Sequence, residues 1–225
     1  QARFIGQHLG PAFQEAGIKT KIVVYDHNAD RPDYPIAVLS DSLANPYIDG
    51  SAFHLYGGKI EALSDVHQAF PDKNIYFTEQ WVGAPGDLAG DLAWHTKNLI
   101  IGGTRNWART VLEWNLSSNP SLTPHTDRGG CDRCLGAITI DGDEVTRNPA
   151  YYITAHASKF VPPGSVRIDS GENEGIAHVA FQRPDQKKAL IVLNESKEKM
   201  VFEIKEKEKS ILAQLNPGAV GTWVW

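Results

Sequence analysis

Asn74-Ile75-Tyr76-Phe77-Thr78-Glu79-Gln80-Trp81 opens as an apolar, β-prone run behind a Pro71-Asp72 break and closes on a carboxylate. Short apolar runs bounded by turn residues read as buried strands. The residues before it, Lys59–Phe70, read as a helix, because Ile60, Leu63, Val66, His67 and Phe70 recur at helical spacing until Pro71 stops them. Working outward, further strands are predicted at Lys21–Tyr25, Ile48–Leu55 and Arg109–Trp114. Helices are predicted at Ala2–Ala16, closed by Gly17 at the position after the cap, at Leu88–Gly102, and at Pro149–Phe160. Alternation of strand and helix is the mark of repeated βα units around a parallel sheet, an α/β chain.

After Pro162-Pro163 the texture changes. Val166–Asp169, Ile176–Gln182, Lys188–Asn194, Met200–Lys205, Ser210–Gln214 and Thr222–Trp225 read as short strands joined by turns. Ala177-His178-Val179-Ala180-Phe181 and Val201-Phe202-Glu203-Ile204 show the period-two tendency of antiparallel strands with one buried face. The boundary is therefore placed after Val161, with a βα-repeat part at 1–161 and a small all-β part at 162–225. Glu195–Lys209 mixes Glu and Lys and reads as a solvated strand face.

Composition narrows the function. With 22 basic and 27 acidic residues the net charge is −5, which disfavours nucleic acid and anionic membrane as partners. No apolar run has the roughly 18 residues of a membrane span, and nothing at Gln1 resembles a signal peptide, so a signal, if any, is expected upstream. The 225 residues are fewer than the about 250 of a complete (β/α)8 barrel. Cys131 and Cys134 stand alone in a Gly-flanked loop without a second Cys or His pair, which favours a local disulfide over free thiols and over a metal or redox centre. A disulfide implies a secreted or periplasmic protein.

Ligands of parallel α/β folds sit at the carboxyl ends of the strands. Those ends read Tyr25-Asp26-His27-Asn28, Phe53-His54-Leu55-Tyr56-Gly57-Gly58, Phe77-Thr78-Glu79-Gln80-Trp81 and Leu112-Glu113-Trp114-Asn115. Carboxylates, amides and aromatic rings around one cleft suit a sugar, whose hydroxyls need hydrogen bonds and whose C–H faces stack on rings. No phosphate-binding glycine loop or arginine cluster points to a nucleotide, and no cofactor or metal is expected. Glu79 is the leading catalytic candidate, although a strand-end Glu can also cap a helix. Asp26 and Glu113 are weaker, and His54 can be either a base or a hydrogen-bonded wall.

In this order and spacing, Ser51-Ala52-Phe53-His54-Leu55-Tyr56, Tyr76-Phe77-Thr78-Glu79-Gln80-Trp81 and Leu112-Glu113-Trp114-Asn115-Leu116 resemble glycoside hydrolase family 30, which includes glucosylceramidases and endo-β-1,6-glucanases. The likeness extends through Asp26-His27-Asn28 and Arg147-Asn148-Pro149-Ala150-Tyr151-Tyr152. The Cys131–Cys134 loop is more similar to the microbial glucanases than to the animal glucosylceramidases. The resemblance implies a retaining β-glycosidase with Glu79 as nucleophile at the end of the seventh barrel strand. It also implies substrate contacts from Asp26, His54, Tyr56, Trp81, Trp114 and Asn115.

The family's general acid/base is a Glu in an Asn-Glu-Pro-like motif after the fourth strand, and no Asn-Glu-Pro occurs in this sequence. The resemblance therefore implies the C-terminal half of a (β/α)8 TIM barrel, strands 5 to 8, followed by a small antiparallel β-sandwich domain. The expected partners are a β-linked glucoside or glucan and the missing N-terminal half of its own barrel, without which no turnover is expected. A non-catalytic carbohydrate-binding protein is the alternative.

Overall fold

The computed structural model describes residues 1–225. Its first strands are β1 (Ile22–Ala29), β2 (Ile48–Gly58), β3 (Asn74–Glu79), β4 (Val82–Gly83) and β5 (Ala108–Val111). There follow β6 (Ser117–Ser118), β7 (Cys134–Leu135), β8 (Ile138–Asp141) and β9 (Glu144–Arg147). The last six are β10 (Val166–Ile168), β11 (Ile176–Gln182), β12 (Lys188–Asn194), β13 (Met200–Glu206), β14 (Lys209–Leu215) and β15 (Val220–Val224). The chain forms two compact units, residues 1–80 with 102–112, and residues 81–101 with 113–225.

The first unit is built on a four-stranded parallel sheet in the order β1-β2-β3-β5. Alternation along the strands sends Ile75, Phe77 and Phe53 to a fully buried face, where each apolar side chain contributes about 1.5 to 3 kcal/mol. Helix Ala62–Ala69 lies beside β3 and buries Leu63 and Val66. Helix Asp33–Leu39, beside β1, is an element that the sequence pattern does not announce. It carries Pro35 in its first turn, where the missing N–H is not needed, and it buries Val38 and Leu39.

At the amino ends of these strands Asp49 collects three donors: Lys21 Nζ at 2.8 Å, Asn74 Nδ2 at 2.8 Å and the Tyr76 phenol. Arg109 donates in turn to the Asn74 amide oxygen at 2.7 Å. Partial burial opposes ionisation of Asp49, but the hydrogen bonds from Lys21, Tyr76 and Asn74 outweigh it and hold its carboxyl at about 2. Gly50 lies beneath this network, and a Cβ there would meet the Asn74 carbonyl oxygen at 2.0 Å, so only glycine fits between the two strands.

In the second unit β10-β11-β12-β15 form an antiparallel sheet and β13-β14 a separate hairpin. Ile176, Ala180, Leu190 and Val192 of the sheet pack with Ile204 and Ala213 of the hairpin, flanked by Phe202 and Trp223. The long helical pattern is also corrected in detail: residues Leu88–His95 are α-helical and Thr96–Gly103 continue as a π-helix. The fourth parallel strand ends at Val111, three residues before Trp114.

Candidate active site

The site in the first unit starts from an irregularity. Tyr25 pairs with Ala52 and His27 with Phe53, so Asp26 is an extra residue in β1, a bulge that re-aims its side chain. Tyr25 and Asp26 both adopt the left-handed region, with φ of 77° and 58°. For non-glycine residues each such conformation costs on the order of 1 to 3 kcal/mol and persists only where the surroundings over-determine it. Here the surroundings are visible: Asp26 Oδ1 accepts from Thr78 Oγ1 at 2.7 Å and contacts His54 Nε2 at 3.1 Å.

His54 is the centre of this group, with a side chain only 11% exposed. Its Nε2 faces Asp26, and its Nδ1 lies 4.0 Å from Glu79 Oε1, beyond hydrogen-bond distance. Glu79 closes β3 and keeps a third of its side chain open to solvent. Tyr56 donates its phenol to Glu79 Oε1 at 3.1 Å, while the Tyr56 backbone N–H is held by Asn28 Oδ1 at 3.1 Å. Tyr56 with Glu79 and His54 with Asp26 thus form two hydrogen-bonded pairs that approach each other to 4.0 Å between His54 and Glu79. Thr78 and Asn28 complete them as positioning residues that the sequence reading did not single out.

The chain passes into the second unit directly after Gln80, whose buried side chain has an unpartnered amide oxygen. In that unit Trp81 and Trp114 are parallel bridge partners, and Trp114 is half exposed. The Trp114–Asn115 peptide is cis. The Asn115 carbonyl accepts from the Ala137 N–H at 2.8 Å, while its side-chain Oδ1 is buried without a partner. A buried acceptor left so costs about 1 to 3 kcal/mol until a donor reaches it. Glu113 points away from that role: its carboxylate engages His95 Nδ1 through both oxygens, at 2.9 and 3.0 Å, and both side chains are 5% exposed. Cys131 and Cys134 are joined as a disulfide.

A parallel βα sheet with a rigidly held carboxylate at a strand's carboxyl end defines a barrel-type chain with its polar site at the strand termini. The chain belongs to glycosyl hydrolase family 30: residues 1–161 match the family's TIM-barrel domain and residues 164–223 its β-sandwich domain. It is 36% identical to the endo-1,6-β-D-glucanase neg1 of Aspergillus fumigatus over 86% of this chain and 40% of that protein. To the lysosomal acid glucosylceramidase of Mus musculus it is 28% identical over 100% of this chain and 46% of that protein. Among solved structures, the endo-β1,6-glucanase BT3312 superposes with a TM-score of 0.91 at 32% identity, covering 100% of this chain and 53% of that one. The chain thus spans about half the length of these relatives.

Proposed function

We propose that this chain supplies the nucleophile half of a retaining β-glycoside hydrolase acting on β-1,6-linked glucan. The observation that carries the proposal is Glu79, held at the end of β3 with its Oε1 hydrogen-bonded by Tyr56 and kept partly open to solvent. A carboxylate so oriented attacks the anomeric carbon as the glycosidic C–O bond breaks, and a second carboxylate about 5 Å away protonates the departing oxygen. Water then attacks the glycosyl ester, gives its proton to that second carboxylate and releases Glu79. The acid/base is assigned to the length of the relatives that this chain does not span, within the first half of the same barrel. In this division residues 1–161 carry barrel strands 5 to 8 and 162–225 the β-sandwich domain.

Asp26, His54, Tyr56, Trp81, Trp114 and Asn115 are assigned to the substrate, and the half-exposed Trp114 ring supports its share as a stacking surface. Glucan is favoured over glucosylceramide by the higher identity to the fungal glucanases, 36% against 28%. The disulfide supports an exported protein. The test is labelling of the full-length protein with a cyclophellitol-type probe or a 2-fluoro-glucoside. Mass shift on the peptide containing Glu79, absent in Glu79→Gln, supports the proposal. An unlabelled protein that still binds glucan is a carbohydrate-binding protein instead.

A further inference from the structure

The loop with the disulfide enters a short segment, Cys134–Ile138, that touches both tryptophan-bearing stretches of the second unit. On one side β7 pairs with β4, Val82 opposite Leu135 and Gly83 opposite Cys134, and the Ala84 N–H donates to the Arg133 carbonyl at 2.8 Å. On the other side Gly136 N–H reaches Ser118 Oγ at 3.2 Å, Ala137 N–H the Asn115 carbonyl at 2.8 Å and Ile138 N–H the Leu116 carbonyl at 3.1 Å. One strap therefore fixes the backbone after Trp81 and the backbone after Trp114.

The Trp81 indole rests on this strap at one remove. A Cβ placed on Gly83 would stand 3.1 Å from the ring, so the indole lies directly on the Gly83 backbone, which β7 holds. Val82, Cys134 and Leu135 are buried, whereas Trp81 keeps part of its ring accessible. A two-residue ladder is weak by itself. The Cys131–Cys134 bridge, with a sequence separation of 3, constrains the unfolded chain less than the about 3 kcal/mol of a 15-residue loop. Its weight falls on the local geometry of the strap's entry.

We infer that the disulfide-anchored strap Cys134–Ile138 is a positioning element that holds the Trp81 indole as a contact for the glucan chain. The inference rests on the glucan-hydrolase proposal above, and it assigns specificity for polymer to residues that touch no substrate. Loosening the strap should weaken the grip on a chain while leaving the attack at a single glucoside unchanged.

The experiment compares the full-length protein with Cys131→Ser/Cys134→Ser and with Gly83→Val, which displaces the indole while leaving both cysteines to form their disulfide. Each is assayed on a β-1,6-linked gluco-oligosaccharide and on an aryl β-glucoside, with the melting temperature recorded alongside. Both variants should raise KM for the oligosaccharide about ten-fold, the loss of one aromatic contact, with kcat and the aryl glucoside kinetics within about two-fold. Unchanged KM in both variants overturns the inference. Equal loss on both substrates with a lowered melting temperature also overturns it, since the strap then only holds the fold. If wild-type protein shows neither aryl glucoside turnover nor Glu79 labelling, the hydrolase proposal has failed by itself. Quenching of tryptophan fluorescence by the oligosaccharide then still reads the strap, with weaker binding in both variants expected and equal binding overturning it.

Discussion

The Tyr56 phenol lies 3.1 Å from Oε1 of Glu79, on a neighbouring strand of the same parallel sheet. Such a donor fixes the rotamer of a carboxylate and tempers its charge. Hydrogen bonds to charged groups contribute about 1.5 to 3 kcal/mol, so Tyr56→Phe should lower kcat by roughly ten- to a hundred-fold. Steady-state kinetics on an aryl β-glucoside in the full-length protein checks this, and an unaltered kcat would remove Tyr56 from the site.

Thr78→Val keeps the shape of the side chain and removes the donor to Asp26. Because Asp26 is 64% exposed, stability should change by no more than about 1 kcal/mol. The bulged carboxylate would lose its orientation, however, and KM should rise several-fold at nearly constant kcat. Equal kinetics in Thr78→Val and wild type would show that Asp26 is held by His54 alone.

The His95–Glu113 pair is a structural partnership, and its two halves should respond unequally. His95→Ala leaves an uncompensated carboxylate among buried groups and should cost about 3 to 5 kcal/mol in denaturant unfolding. Glu113→Gln removes the charge and keeps an acceptor, so its loss should be distinctly smaller. Equal losses would contradict the buried-charge account.

Asp49 gives an acid-side signature. Its folded-state value of about 2 lies below the ordinary 3.8, so its contribution is complete above pH 4 and fades as pH falls toward 2. Asp49→Asn should cost about 1.5 kcal/mol at neutral pH, the lower end for such hydrogen bonds because Lys21 is exposed. It should also flatten the pH dependence of unfolding between 4 and 2, measurable by thermal melts across that window.

The parts of the fold legible in the sequence are those where periodicity has length to act. β2, β3 and the strands from β11 to β14 all carry at least five residues of pattern, and their expected positions overlap the observed ones throughout, whereas the last strand starts two residues earlier than expected. Helix Asp33–Leu39 was hidden by Pro35, and β4 and β7 by being two residues long. In the site, Glu79 could be read from its place at a strand end, whereas Tyr56 was marked only by the family resemblance. Thr78 and Asn28 could not be read, because their roles depend on where bulged strands bring Asp26 and Tyr56. Glu113 could be read only as a weaker candidate than Glu79, and three-dimensional proximity identifies His95 as its partner.

The bulge at Asp26 has a consequence for how this sequence can change. Tyr25 and His27 already pair with the adjacent residues Ala52 and Phe53, so deleting Asp26 would remove one of the three irregularities in the β1–β2 ladder and relieve the left-handed backbone at this point. The same deletion would take away the carboxylate beside His54. Loss of a single codon here would thus yield a more regular sheet with an impaired site, so regularity and usefulness pull this strand in opposite directions.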